Sequence, residues 1–275
     1  MSPSSFHDCS HPEDTHGLVS TTRGIAILID LLYNLPTSPP SLHLDLEGVN
    51  LSRDGTVSIV QIYDRTKNTT YLVDVYTLGK DAFNTRGNHS RKTLKSILES
   101  PSVPKVFFDV RRDSDALFAH FEVKLQGIHD LQLMELASNH PRPRSYVRGL
   151  AACIENHLNL SPDEKTEFLA NKQNGKALFA PEMGGSYEVF NERPLSKAVR
   201  SYCIADVHYM ARLWDTYDGR RITPDWKEKL EEETKQRVIE SQSPNFSSNG
   251  KHMARCPTRW DWHLPDIDDD DSYYY

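Results

Sequence analysis

Cysteine is scarce and scattered: Cys9, Cys153, Cys203 and Cys256 are the only four in 275 residues, with no CxxC pair among them. That excludes a disulfide framework, suits a reducing compartment and predicts free thiols. Long apolar runs are missing too. The best candidate, Gly24 to Leu35, carries Asp30 inside it and falls short of the roughly 18 to 20 residues that a bilayer span requires, so it reads as a soluble helix. The stretch from Met1 to His16 has no basic region followed by an apolar one, so no secretory signal is read there, and an intracellular address, cytoplasmic or nuclear, is expected. Positive charge is in deficit. With 32 Lys and Arg against 39 Asp and Glu the formal charge is -7, so a nucleic-acid partner would have to be met by a local basic patch.

What is present is enough for a packed core with solvated ends: 37% of residues are hydrophobic and 26% charged. One α/β domain is the economical reading, spanning residues 21–240. Residues 1–20 read as a disordered tail. Residues 241–275 read as a polar tail ending in the acidic run Asp266 to Asp271, with Trp260 and Trp262 able to pin it back onto the domain. No internal repeat is found.

Within the domain, Ser41 to Asp45, Val57 to Tyr63 and Thr70 to Val75 alternate apolar and polar residues between turn signals at Gly48 and Asp54-Gly55, which predicts a three-strand meander. A helix over Lys92 to Glu99 and a buried strand over Lys105 to Phe108 follow. Helices are then predicted over Ser114 to Phe121, Leu131 to Ala137, Val147 to Leu158, Pro162 to Ala170 and, longest, Leu195 to Tyr217, with Pro194 at its first turn. Asp225 to Glu240, dense in Glu and Lys, reads as an exposed helix. Strands first and helices later give an α/β fold, a mixed central sheet flanked by helices.

Three segments carry chemistry. In LHLDLEGVN, Asp45 and Glu47 lie two apart on an extended chain and project from one face, where they can converge on a cation. In SYCIADVHYM, Tyr202 and Asp206 lie four apart on a helix and share a face, beside the apolar stripe of Ile204, Val207 and Met210; an acid so placed needs a partner or a metal. Between them, VFFDVRRDSDALF clusters Asp109, Asp113 and Asp115 where a strand gives way to a helix. Two of these acids are expected to be structural, and Asp113 is the one whose place in the first turn can aim it inward. Hard carboxylates without a His/Cys cluster of zinc spacing favour Mg²⁺ or Mn²⁺ held with waters and phosphate oxygens. His7, Cys9, His11 and His16 match no zinc template.

DLEG, RRDSDAL and YCIAD, in that order and spacing, resemble the three exonuclease motifs of the DnaQ-like superfamily, in the subgroup with a tyrosine in the third motif. The segments EGVNLSRDG, HDLQLMELA and ERPLSKAVRSYCIADV look most like the Egalitarian-like branch, with RNase D and the Werner-type exonuclease domain as further relatives; the match runs from about Ser41 to Tyr217. The resemblance implies an RNase H-like fold and a two-ion 3'-5' exonuclease that trims single-stranded RNA or DNA from its 3' end to nucleoside 5'-monophosphates, RNA being favoured. It assigns Asp45, Glu47, Asp113 and Asp206 as metal ligands and Tyr202 as the residue that orients the attacking water. It also suggests substrate contacts at Gly48, Asn50, Leu51, Arg111, Arg112 and Arg193. Two positions depart from the family pattern: Phe108 stands where a histidine is often found, and Phe190 where relatives often have Trp. Because Egalitarian-like relatives include members that have lost acids and act as scaffolds, an RNA-binding adaptor with negligible turnover is the alternative reading.

Arg111, Arg112, Arg142, Arg144, Arg148, Lys172 and Lys176 flank the motifs and could hold phosphates or form a solvated face. Leu51, Phe107, Tyr146, Phe179 and Tyr187 are candidates for stacking against a single-stranded end, or for core. The acidic run Asp266 to Asp271 could mimic nucleic acid and cover the site.

Overall fold

The computed structural model describes residues 17–138, 145–219 and 222–260. In chain order the elements are β1 (Gly17–Val19), α1 (Thr22–Leu32), β2 (Leu42–Glu47), β3 (Ile59–Asp64), β4 (Thr69–Asp74), the single turns α2 (Val75–Leu78) and α3 (Asp81–Asn84), α4 (Leu94–Leu98), β5 (Lys105–Phe107), α5 (Arg111–Phe121), β6 (Ile128–Asp130), α6 (Leu131–Ser138), α7 (Leu150–His157), α8 (Pro162–Phe179), α9 (Lys197–His208), α10 (Met210–Gly219) and α11 (Pro224–Ser241). The strands form one sheet in the order β1-β4-β3-β2-β5-β6. β2, β3 and β4 make the expected antiparallel meander, and β1, β5 and β6 add in parallel at the two sides. This is the RNase H-like α/β arrangement, a mixed sheet flanked by helices.

Alternation along β2 sets the two faces. Leu42, Leu44 and Leu46 turn into a core shared with α1, α4 and α5, through Ile25, Leu28, Ile29, Leu94, Leu98 and Leu117. Each such fully buried aliphatic side chain contributes about 1.5 to 3 kcal/mol. Asp45 and Glu47 turn to the other face, where α9 crosses β2, β3 and β4. There Ile59 and Leu72 meet Val199 and Cys203.

Lys105 is a charged residue inside this core. Its side chain is fully buried, and the ammonium donates to the carbonyls of Ile97 (3.1 Å) and Ser100 (2.7 Å) at the end of α4. Burial lowers its pKa from 10.5 to about 7. Between those two values the unfolded chain holds a proton that the folded chain has released. Stability from this group is therefore complete above pH 10.5 and lost as pH falls to about 7. Urea unfolding from pH 7 to pH 10 should show wild-type stability climbing relative to Lys105→Met; parallel profiles would contradict this.

Several boundaries differ from the sequence reading. Residues 17–19, placed in the N-terminal tail, pair with Tyr71 to Val73 as β1. β6 is a further unforeseen strand, three residues long. The helix expected over Leu195 to Tyr217 is two, α9 and α10, divided at Tyr209, whose backbone angles stay right-handed. Its start is capped by the Ser196 hydroxyl accepting from Val199 N (3.2 Å), so Pro194 lies ahead of the helix. α8 runs nine residues beyond Ala170, to Phe179, and with α11 is the longest helix described.

α11 is not merely exposed. Glu233, Thr234, Arg237, Val238 and Ser241 recur at helical spacing and are buried, a polar stripe disguised by the surrounding Glu and Lys. The chain after it stays on the domain: Trp260 is buried with an edge-on contact to Trp226 at 5.0 Å, and Cys256 N donates to Ser145 O at 2.9 Å. Docking through Trp260 is thus present, whereas Trp262, the acidic run Asp266 to Asp271, Arg142, Arg144, His7, Cys9, His11 and His16 lie outside the described residues. Cys153, Cys203 and Cys256 are buried and form no disulfide among the described residues.

Candidate active site

β2 and α9 bring the first and third motifs together. Asp45, Glu47 and Asp206 each offer a carboxylate oxygen, and these atoms lie within 4.8 Å of one another. Asp113, 4% exposed in the first turn of α5, lies near enough to feel the charge of Asp45. Its Oδ1 is buried without a hydrogen-bond partner among the described residues. A buried carboxylate oxygen left unsatisfied is costly unless a cation completes it. The donor set is therefore one of hard oxygens suited to Mg²⁺ or Mn²⁺.

The electrostatics carry the same message. Burial, and then the charge of Asp206, push Asp45 up to about 7. Glu47 is driven well above the carboxylate range by burial, then by Asp45 and Asp206. Asp113 is likewise raised, by burial and then by Asp45 and Asp109. Carboxylates gathered this closely resist joint ionisation until positive charge arrives.

Tyr202 borders the cluster. Burial, then the charges of Glu47, Asp206 and Asp45, hold its phenol protonated. Its ring rests on Phe179 (centroids 5.1 Å apart) and Phe190 (6.4 Å). It also presses on α8 at Gly175, where an added Cβ would come within 2.2 Å of the ring, so this position requires glycine. Phe190, at the site of the usual Trp, is thus part of the wall that fixes Tyr202.

α8 supplies a residue that the sequence reading placed only among possible phosphate contacts. Lys172 Nζ donates to Asp206 Oδ1 at 2.6 Å and lies 5.2 Å from the centre of the Tyr202 ring. Burial alone would lower its pKa, but Asp206, Asp45 and Glu47 together raise it.

The other two acids of the second motif are structural, as expected. Asp115 accepts from the backbone N–H (2.9 Å) and Nε (2.6 Å) of Arg53, tying α5 to the β2–β3 loop. Asp109, at φ 57°, pairs with Arg111. The turn from β5 into α5 is held from beneath by Asp130, which accepts from Asp109 N (3.0 Å) and Val110 N (3.4 Å) and in turn takes Arg237 Nη1 at 2.8 Å. Asp130 and Arg237 fix the turn that aims Asp113, and the sequence reading had neither.

The residues expected to touch substrate divide between internal ion pairs and loop positions. Arg111 is buried, spent on Asp109 and on the Met253 carbonyl (2.6 Å). Arg193 grips Asp74 with Nε and Nη2 and donates Nη1 to the Phe190 and Glu192 carbonyls, anchoring the approach to α9. Both are structural anchors. Arg112 is exposed and donates to the Ser248 carbonyl at 3.1 Å. Gly48 is buried where a Cβ would fall 2.0 Å from the Thr56 carbonyl, Asn50 is exposed at φ 50°, and Leu51 packs on the core edge. Phe107 is core, Tyr146 bridges to Arg255, and Phe179 stacks with Tyr187 behind Tyr202.

Comparison with known proteins agrees with this geometry. The model of the 3'-5' exonuclease family matches residues 18–217. The piRNA biogenesis protein EXD1 of Xenopus laevis is 25% identical over 170 residues, covering 60% of this chain and 34% of that protein. EXD1 of Mus musculus is 32% identical over 125 residues, 44% of this chain and 20% of that protein. The chain thus spans about a third and a fifth of the length of these two relatives. Among solved structures, Trypanosoma brucei RNase D in complex with RNA U12 superposes with a TM-score of 0.71 at 23% identity, covering 89% of this chain and 77% of that one. Escherichia coli RNase D, an exoribonuclease involved in structured RNA processing, gives 0.54 at 18%, covering 82% and 50%.

Proposed function

This chain belongs to the 3'-5' exonuclease family, and from that membership and the converging acids we propose that it is a two-ion 3'-5' exonuclease of single-stranded nucleic acid, preferring RNA to DNA. The observation that carries the proposal is the convergence of Asp45, Glu47 and Asp206 within 4.8 Å, beside an Asp113 oxygen that is buried and unpaired. Asp45, Glu47 and Asp206 would hold one ion, with Asp45 and Asp113 holding the second. Such ions supply Lewis acidity and a more acidic water. The chain's own part is positional. Tyr202, protonated and walled in by Phe179, Phe190 and Gly175, would orient the reacting water through its hydroxyl. The carboxylates keep that water beside the terminal phosphodiester, and a nucleoside 5'-monophosphate leaves. The preference for RNA draws on relatives: an RNase D with RNA U12 in its structure, and proteins described as piRNA biogenesis factors.

Thermal unfolding gives a direct check on the ion site. With Mn²⁺ or Mg²⁺ at about a hundred times Kd, the melting temperature should exceed that in chelator by about 5 to 10 °C. An unchanged melting temperature would contradict the site.

A second reading, an RNA-binding adaptor with negligible turnover, is favoured by one observation: Lys172 already places a positive charge on Asp206. RNA binding undiminished by chelator, without shortening of the strand, would select it.

A further inference from the structure

Lys172 is the one cation that enters the acid cluster from the protein itself among the described residues. Its Nζ is 2.6 Å from Asp206 Oδ1, and the Asp206 side chain is only 4% exposed. The carboxylate oxygens of Asp206, Asp45 and Glu47 lie within 4.8 Å of one another, so the ammonium lies against the position where an ion would bind. Resting on the ion-site reading above, we propose that Lys172 competes with the divalent ions for Asp206, so that ion binding is an exchange of cations.

Three features support exchange over a fixed ion pair. The lysine side chain is 25% exposed, so it is not locked inside the core. A four-carbon stem with a single ammonium reorients at little cost, unlike a guanidinium held by a bidentate fork. Lys172 also lies one turn before Gly175 on α8, and the Tyr202 ring fills the space over that glycine. The ammonium already lies 5.2 Å from the centre of that ring, a cation–π contact that can hold it when an ion takes the carboxylate.

The exchange has a cost and a purpose. Three carboxylates gathered around the buried Asp206 without any counter-charge would weigh against the fold, and Lys172 relieves that load before an ion arrives. The ion must then displace the ammonium, which lowers its apparent affinity. Removing the competitor should strengthen ion binding while weakening the chelated protein. A lysine with a purely structural role would do the second without the first.

The test is isothermal titration of the full chain with MnCl₂, comparing wild type with Lys172→Met and Lys172→Arg, with Asp206→Asn as the control for the ion site. The expected result is Mn²⁺ binding tighter by about tenfold or more in Lys172→Met, no such gain in Lys172→Arg, and a lower melting temperature for Lys172→Met in chelator. Equal or weaker binding by a folded Lys172→Met, with wild type still binding and Asp206→Asn not, would overturn the competition and leave the ion site standing. Absence of Mn²⁺ binding in every protein would overturn both.

Discussion

Asp45→Asn and Asp206→Asn should each reduce 3'-end trimming by about 10³-fold or more, because each removes a ligand from a centre worth several kcal/mol to the transition state. The same changes should act on stability in the opposite sense. Asp45 is pushed up to about 7 by burial and by the charge of Asp206, so its ionised form is disfavoured in the fold. An asparagine of nearly the same shape removes that burden. In chelator, Asp45→Asn should therefore melt at or above the wild-type temperature while being inactive, and it should lose most of the stabilisation that Mn²⁺ gives wild type. Loss of activity accompanied by loss of the fold in chelator would mean that the carboxylate is structural. Calorimetry of the two proteins with and without Mn²⁺ separates these outcomes.

Arg237→Met should destabilise the protein by about 3 to 5 kcal/mol, the cost of breaking one side of a buried ion pair. Arg237 and Asp130 are 3% and 0% exposed and 2.8 Å apart. Asp130 also accepts from Asp109 N, Val110 N and Gln132 N, so removing the arginine leaves a buried carboxylate that the turn still needs without its counter-charge. Because that carboxylate holds the turn into α5, the damage should reach Asp113: Mn²⁺ stabilisation should shrink even in the fraction that remains folded. Urea unfolding measures the first effect, and a change below about 1 kcal/mol would contradict the account. The family match ends at residue 217, yet this pair draws α11 into the site. A protein cut before α11 should behave like Arg237→Met or worse.

The convergence of Asp45, Glu47 and Asp206 was legible in the sequence because its signals are local. Asp45 and Glu47 alternate on one strand, and Tyr202 and Asp206 share one helical face, so spacing alone orients each pair. Asp113 was legible through the order of three motifs, and its two neighbours are indeed paired off, Asp109 with Arg111 and Asp115 with Arg53. The supporting residues were not legible, because their partners are distant in the chain. Lys172 meets Asp206 34 positions on, and Arg237 meets Asp130 across 107. Nothing near either residue marks it, and Arg237 sits in a Glu- and Lys-rich helix whose letters suggest a solvated surface. Gly175 reads as an ordinary weak point in a helix until the Tyr202 ring is found against it. Arg111 and Arg193 ran in the opposite direction: arginines beside motifs suggest phosphate, but in the fold Arg111 is spent on Asp109 and Arg193 on the buried Asp74.

The most direct test is digestion of 5'-labelled single-stranded RNA and DNA, resolved to one nucleotide, in Mg²⁺ or Mn²⁺, with wild type, Asp45→Asn and Asp206→Asn side by side. The account predicts a ladder shortening from the 3' end, faster on RNA, released as 5'-monophosphates, and absent in both variants and in chelator. Intact strands with folded wild-type protein at high concentration in either ion, or a ladder that persists in both variants, would contradict it.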